Sequence, residues 1–220
     1  MTEDQKPFRV EKTIGAPADT VWRALTEPDV VRNWFGWDYE GLPAEIESVF
    51  VDGADPQPPD LIVLGGHQEI GLVGGAGRTM VRVVTTQPLP AGTDPDRYDA
   101  VEEGWRVFFE QLRFLLERHP GERRSTLYLT GRASGRQLLG VLAEEAAKEV
   151  WHESRFAHLV VGAEGHLLAA TAEQPLPDGG PGPVSLTVSA YGLDDQARAA
   201  LRERWTARWR KAVTDAEVTP

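Results

Sequence analysis

The chain has 220 residues, 41% hydrophobic and 26% charged, which suits one large folded domain or two small ones. It has no cysteine, which excludes disulfides, thiol catalysis and thiolate metal sites, and its net charge of −11 opposes the nonspecific pull of nucleic-acid phosphates. No apolar run reaches the ~18–20 residues of a membrane span, and Met1 to Val10 holds charges and a proline where a secretory signal is apolar; a cytoplasmic protein is expected.

Phe8, Val10 and Ile14 alternate with Arg9, Glu11 and Thr13, which predicts a strand. Gly15-Ala16-Pro17 ends it, and Pro17 opens a helix carrying Val21, Trp22 and Leu25. A second short helix runs from Pro28 to Trp34. Ala44 to Val51 reads as a half-buried strand, with Ile46 and Phe50 on one face and Glu45 and Glu47 opposite. Leu61–Leu64, Gln68–Val73 and Arg78–Thr86 read as strands separated by Gly65-Gly66 and Gly74-Gly75-Ala76-Gly77. Tyr98 to His119 follows as a long amphipathic helix whose stripe is Val101, Trp105, Phe108, Leu112 and Leu115.

The second half repeats this order. Ser125–Thr130 reads as a strand, and Ser134–Trp151 as a helix opened by a capping box of Ser134 and Gln137. Phe156–Val161, His166–Glu173 and Val184–Tyr191 read as strands, and Asp194 to Val213 as a closing helix with Leu201, Trp205 and Trp209 on one side. A shift of 117 positions lays Val21, Trp22, Leu25 and Trp34 over Leu138, Leu139, Leu142 and Trp151. A shift of 100 lays Val101, Glu103, Trp105 and Phe109 over Leu201, Glu203, Trp205 and Trp209. The pattern predicts a degenerate tandem whose second copy has lost about seventeen residues from its sheet. Residues 1–119 hold 11 basic and 21 acidic side chains, residues 120–220 hold 12 and 13. With the break at His119-Pro120-Gly121, this divides the chain into lobes 1–120 and 121–220.

Val10-Glu11-Lys12, the run Ala16 to Thr26, Trp34-Phe35-Gly36, Gly77 to Val83 and Glu103-Gly104-Trp105 together resemble the heat-shock ATPase activator-like family of the START-like (SRPBCC) superfamily. The resemblance covers residues 8–119 directly and the rest through the internal repeat. It implies an α+β helix-grip fold, an antiparallel sheet packed on a long C-terminal helix, with a second, reduced lobe. It also implies a cavity between sheet and helix that takes apolar or aromatic molecules. Tyr39 to Gly77 is short for this family, which bears on how large a cavity its sheet encloses. The family includes transport proteins, cyclases, co-chaperone-like proteins and resistance proteins, so the fold alone does not choose among them.

No catalytic constellation stands out, so an enzyme is the least expected class. His152-Glu153 is followed by its next histidine at His158, off the spacing that puts two zinc ligands on one helix face. Gly131 to Gly135 misses a nucleophile elbow by one residue, and its Ser134 already serves as a cap. Gly74 to Gly77 precedes a strand, so no helix N-terminus is there to cradle phosphate. The Arg204 to Lys211 run interleaves basic residues with Trp205 and Trp209, a single-strand-binding pattern, but both tryptophans lie on the helix's apolar stripe.

The expected function is non-catalytic binding of a hydrophobic or aromatic small molecule, lipid- or polyketide-like, in the first lobe, with no cofactor, metal, nucleic acid or membrane. Trp34, Trp37, Phe50, Met80, Trp105, Phe109 and Leu112 are the candidate wall. Arg82, the charge within an apolar strand, orients a ligand carboxylate or phenolate if it faces inward and is sheet surface if it faces out. Two alternatives stand beside this reading. One is a co-chaperone-like module whose acidic first lobe docks on a basic partner. The other, suggested by the START-like resemblance, is a self-sacrificial resistance protein cleaved at exposed glycines by a reactive polyketide.

Overall fold

The computed structural model describes residues 7–85, 98–145, 147–176 and 180–219, in which the chain separates into two units. One comprises residues 1–36 and 40–121, the other 37–39 and 122–220.

In the first unit, β1 (Arg9–Ile14) leads to α1 (Ala18–Thr26) and α2 (Pro28–Val31). The expected strand at Ala44–Val51 is helical instead: α3 (Leu42–Glu47) runs into a π-helical turn, Ser48–Asp52. Leu42, Ile46 and Phe50 are buried and recur every four residues, a period that fits a helical face, and Pro43 sits where a helix's first turn accepts it. Glu45 and Glu47 are exposed on that helix. The strands β2 (Ala54–Gln57), β3 (Leu61–Leu64), β4 (Gln68–Gly75) and β5 (Arg78–Thr85) then form an antiparallel meander. Thr86, the last residue of the expected fifth strand, lies outside the described residues. The β4–β5 hairpin turns through Ala76 and Gly77 at φ of 51° and 75°, the left-handed pair a tight two-residue hairpin needs. β5 pairs back onto β1, giving the order β1-β5-β4-β3-β2. The long α4 (Ala100–Arg118) is capped by Asp99, which accepts from the N–H groups of Val101 and Glu102.

The second unit has β6 (Arg124–Ala133), α5 (Gly135–Ala143), β7 (Glu149–Glu153), β8 (Ala157–Val161), β9 (Leu167–Ala172), β10 (Gly182–Tyr191), α6 (Asp195–Ala212) and β11 (Thr214–Thr219). Its sheet order is β11-β6-β10-β9-β8-β7. Without β11 this is the order of the first sheet, first strand beside last, and in both units the long helix follows the last strand of the meander. The Ser134–Gln137 capping box is present, but α5 ends at Ala143. Trp151 therefore lies on β7, whereas Trp34 follows α2, so those two tryptophans are not equivalent. Trp105 and Trp205 both lie buried on the long helices. The second copy's shortening is also not in its sheet: residues 144–148 replace the helical span 27–53, while β6 and β10 have ten residues each.

Candidate functional site

The site resemblance points to lies between the first unit's sheet and α4. On β1, Val10 and Ile14 are buried, and Lys12 on the same face makes an ion pair with Glu110 of α4. That face of the sheet continues through the register partners Val83, Val81 and Thr79 of β5, all buried. The helix is tied down at three levels. The Trp105 indole N–H donates to Gln68 Oε1 of β4 at 3.0 Å. Glu110, itself fully buried, also pairs with Arg113 Nε at 2.9 Å. Near the end of the helix, Glu117 Oε1 accepts from the Gly15 N–H at 2.7 Å. Ionic contacts of this kind inside a helix–sheet layer fix its register, since a displaced partner would leave a desolvated charge.

Six aromatic rings fill the adjoining layer. Trp34 meets Phe35 and Phe50 edge-on at centroid separations of 5.9 and 5.7 Å, and Phe35 meets Phe50 at 4.9 Å. Phe35 reaches Phe108 of α4 at 4.7 Å, and Phe108 and Phe109 lie 6.1 and 5.4 Å from Trp105. The Trp34 indole N–H donates to the Ala24 carbonyl at 2.8 Å, which locks that ring beneath α1. Edge-on geometry of this kind adds to the burial energy of each ring. An opening of about 180 Å³ lies between α2 and α3, lined by Pro28, Arg32, Leu42, Ile46 and Glu47 among others. Trp34 follows the first of these helices, and Phe50 lies in the π-helical turn that continues the second.

Of the expected wall, Trp34, Phe50, Trp105 and Phe109 thus belong to one ring cluster, and Leu112 is fully buried one turn further along α4. Met80 and Arg82 are placed elsewhere. Strand alternation gives Thr79, Val81 and Val83 to the helix side, so Met80 and Arg82 take the other face, opposite Thr13 and Glu11. Trp37 belongs to the second unit, where it stacks on Tyr128 at 3.8 Å. Val101, expected on the helix stripe, is 38% exposed. Phe35 and Phe108 complete the cluster; Phe108 stood on the expected helix stripe and Phe35 in the Trp34-Phe35-Gly36 motif, but neither was named for the wall.

The remaining sequence motifs have structural roles. Trp205 and Trp209 are buried, the Trp209 N–H donating to the Thr130 carbonyl at 2.8 Å. Arg204 forks onto the Glu164 carboxylate, which that contact holds below the usual carboxylate range, and Arg208 pairs with Glu144 and Glu145. His152 lies on β7 and His158 on β8. No group of three metal-ligating side chains converges among the described residues, and no helix among them is long and apolar enough to cross a membrane.

No family model and no curated protein matches the chain. Solved structures are similar to it at low identity. The crystal structure of DynU16, from the dynemicin biosynthetic locus, is 19% identical over 94% of this chain and 96% of that one, with a TM-score of 0.35. The Aha1 dimer from Colwellia psychrerythraea is 16% identical, covers 52% of this chain and 98% of that one, and has a TM-score of 0.33. The di-domain ARO/CYC StfQ from the steffimycin biosynthetic pathway is 13% identical over 94% of each chain, also with a TM-score of 0.33. In this chain the strand order and the helix that follows it recur in both halves: each half is an α+β unit, an antiparallel sheet whose last meander strand leads into a long helix.

Proposed function

We propose that the protein binds, without transforming it, a largely apolar aromatic molecule in the first unit's helix–sheet interior. The observation that supports this is the run of six contacting rings in the unit that also holds the opening between α2 and α3. Rings packed edge to face offer faces on which a flat molecule stacks when the layer parts, and apolar lining with few polar groups is what such sites require. Trp34, Phe50, Trp105, Phe109 and Leu112 form the wall in this reading; Met80 and Arg82 lie on the other face of β5, and Trp37 belongs to the second unit. A titration with the neutral probe N-phenyl-1-naphthylamine tests it. Binding should quench tryptophan emission, persist in a chelator, and weaken in Phe109→Ser. Because Phe109 is fully buried, Glu47→Trp, an exposed change that narrows the opening, serves as the second variant. A probe that leaves the emission unchanged sinks the reading, and docking of the acidic first unit on a basic partner takes its place.

A second reading rests on a different observation. Gly74, Gly75 and Gly77 are exposed and line a depression of about 530 Å³ with Ala18, Leu72 and Val73. Glycine α-hydrogens so displayed suit self-sacrificial capture of a polyketide diradical: the ligand radical takes the hydrogen atom, and the glycyl radical left behind reacts with dissolved oxygen, which cuts the backbone there. Incubation with an enediyne followed by intact mass measurement decides it: fragments cut at 74–77 support capture, and an uncut chain excludes it.

A further inference from the structure

The second unit has its own cleft, of about 350 Å³, between the first half of β6 and the first half of α6. Four arginines stand in its wall, Arg123, Arg124, Arg198 and Arg202, with two aspartates, Asp38 and Asp195. Gathering like charges costs energy unless negative groups or a bound anion offset them.

Both aspartates are already engaged. Asp38 Oδ2 accepts from the Thr126 N–H at 2.7 Å, and its own N–H donates to Thr126 Oγ1. Asp195 pairs with Arg198 on the next turn of α6. Arg202 donates to the Thr219 carbonyl at 3.3 Å, a neutral acceptor. Among the described residues no carboxylate pairs with Arg123, an exposed residue at the mouth. Arg124 is only 4% exposed; burial works against its charge, while Tyr191 and Asp38 favour it. Leu127 and Leu201 supply apolar wall between these charges.

We infer that this cleft binds a small organic anion, through the carboxylate or phosphate chemistry that arginine forks match in two-point contacts. Its volume lies at the lower end for ligand sites, which restricts the occupant to a one- or two-ring body. The site is separate from the ring cluster of the first unit and stands whether or not that cluster takes a ligand.

An amide-resolved NMR titration of the full chain tests it with three probes: naphthoate, inorganic phosphate, and neutral methylnaphthalene. The expected result is saturable shifts at residues 124–127 and 198–202 with an anion and none there with methylnaphthalene. Naphthoate alone assigns a carboxylate with an apolar body, and phosphate alone assigns a phosphate. Arg123→Glu should weaken the anion roughly tenfold or more with its melting temperature unchanged, Arg123→Lys should restore part of the affinity, and added salt should weaken it further. The inference is overturned if neither anion moves these amides up to about 10 mM, or if Arg123→Glu binds as tightly as the wild type.

Discussion

Trp105 joins helix to sheet by both packing and a hydrogen bond, since its ring is buried among Phe108 and Phe109 and its N–H reaches Gln68. Trp105→Ala is expected to cost about 3–5 kcal/mol, read by denaturant unfolding; a melt identical to wild type would mean the helix face is wrongly described. Glu110 is the other fixed point. It is fully buried between Lys12 and Arg113, whose side chains are 26% and 21% exposed. Glu110→Ala takes the carboxylate from Lys12, while Arg113 keeps Glu117 at 3.9 Å, and should cost roughly 1–3 kcal/mol, whereas Glu110→Gln, which keeps hydrogen bonding, should cost less. Tyr191 carries a pH dependence. Burial pushes its phenol from 10.0 up to about 12, so the unfolded chain releases this proton first and stability falls as pH rises above 10. The loss should reach roughly 2–3 kcal/mol near pH 12. Tyr191→Phe should remove that loss, and absorbance titration should show one tyrosine fewer ionising near 12.

At the level of elements, patterns of period two and long stripes were legible, and segments whose sequence serves two periods were not. β1, β3, β4, β5 and β8 to β10 follow alternation or apolar runs, and α4 and α6 follow their tryptophan stripes. Ile46 and Phe50 satisfied a strand face and a helical face alike, and only the burial of Leu42 with them decides for the helix. β2 holds Asp55 and Pro56 and β11 holds Asp215 and Glu217, so these edge strands lack the apolar signal that marks a core strand. The site was half legible for the same reason. Trp105 and Leu112 stood on a readable stripe. Glu102, Glu103, Glu110 and Gln111 are buried too, and nothing in their polarity announces it. Arg82 was readable from parity alone, since Val81 and Val83 claim the inner face. The close pass of β11 against β6 yields a further expectation. A Cβ on Gly131 would lie 2.8 Å from the Thr214 carbonyl oxygen and 2.7 Å from Val213 Cγ2. Gly131→Ala must push backbone apart there, at about 1–3 kcal/mol by denaturant unfolding.

Across the whole molecule, the repeat holds at the level of strand order and long helix while its helical insert has diverged. α1 and α5 keep the same pattern, with Val21, Ala24 and Leu25 buried as Leu138, Val141 and Leu142 are. Beyond them the copies part: the first builds α2, α3 and a π-helical turn, which carry Phe50 and flank the α2–α3 opening, and the second goes directly to β7. The two long helices then offer different chemistry, aromatic beside α4 and arginine-rich beside α6. The tripeptide Trp37–Tyr39 also bears on inheritance. It is encoded in the first half, yet Asp38 exchanges two hydrogen bonds with Thr126, and Trp37 stacks on Tyr128. Recombination between tandem proteins of this kind at residue 121 would therefore separate a donor's second half from the three residues that complete its β6. A viable chimera has to carry positions 37–39 along with 122–220, as one non-contiguous heritable block.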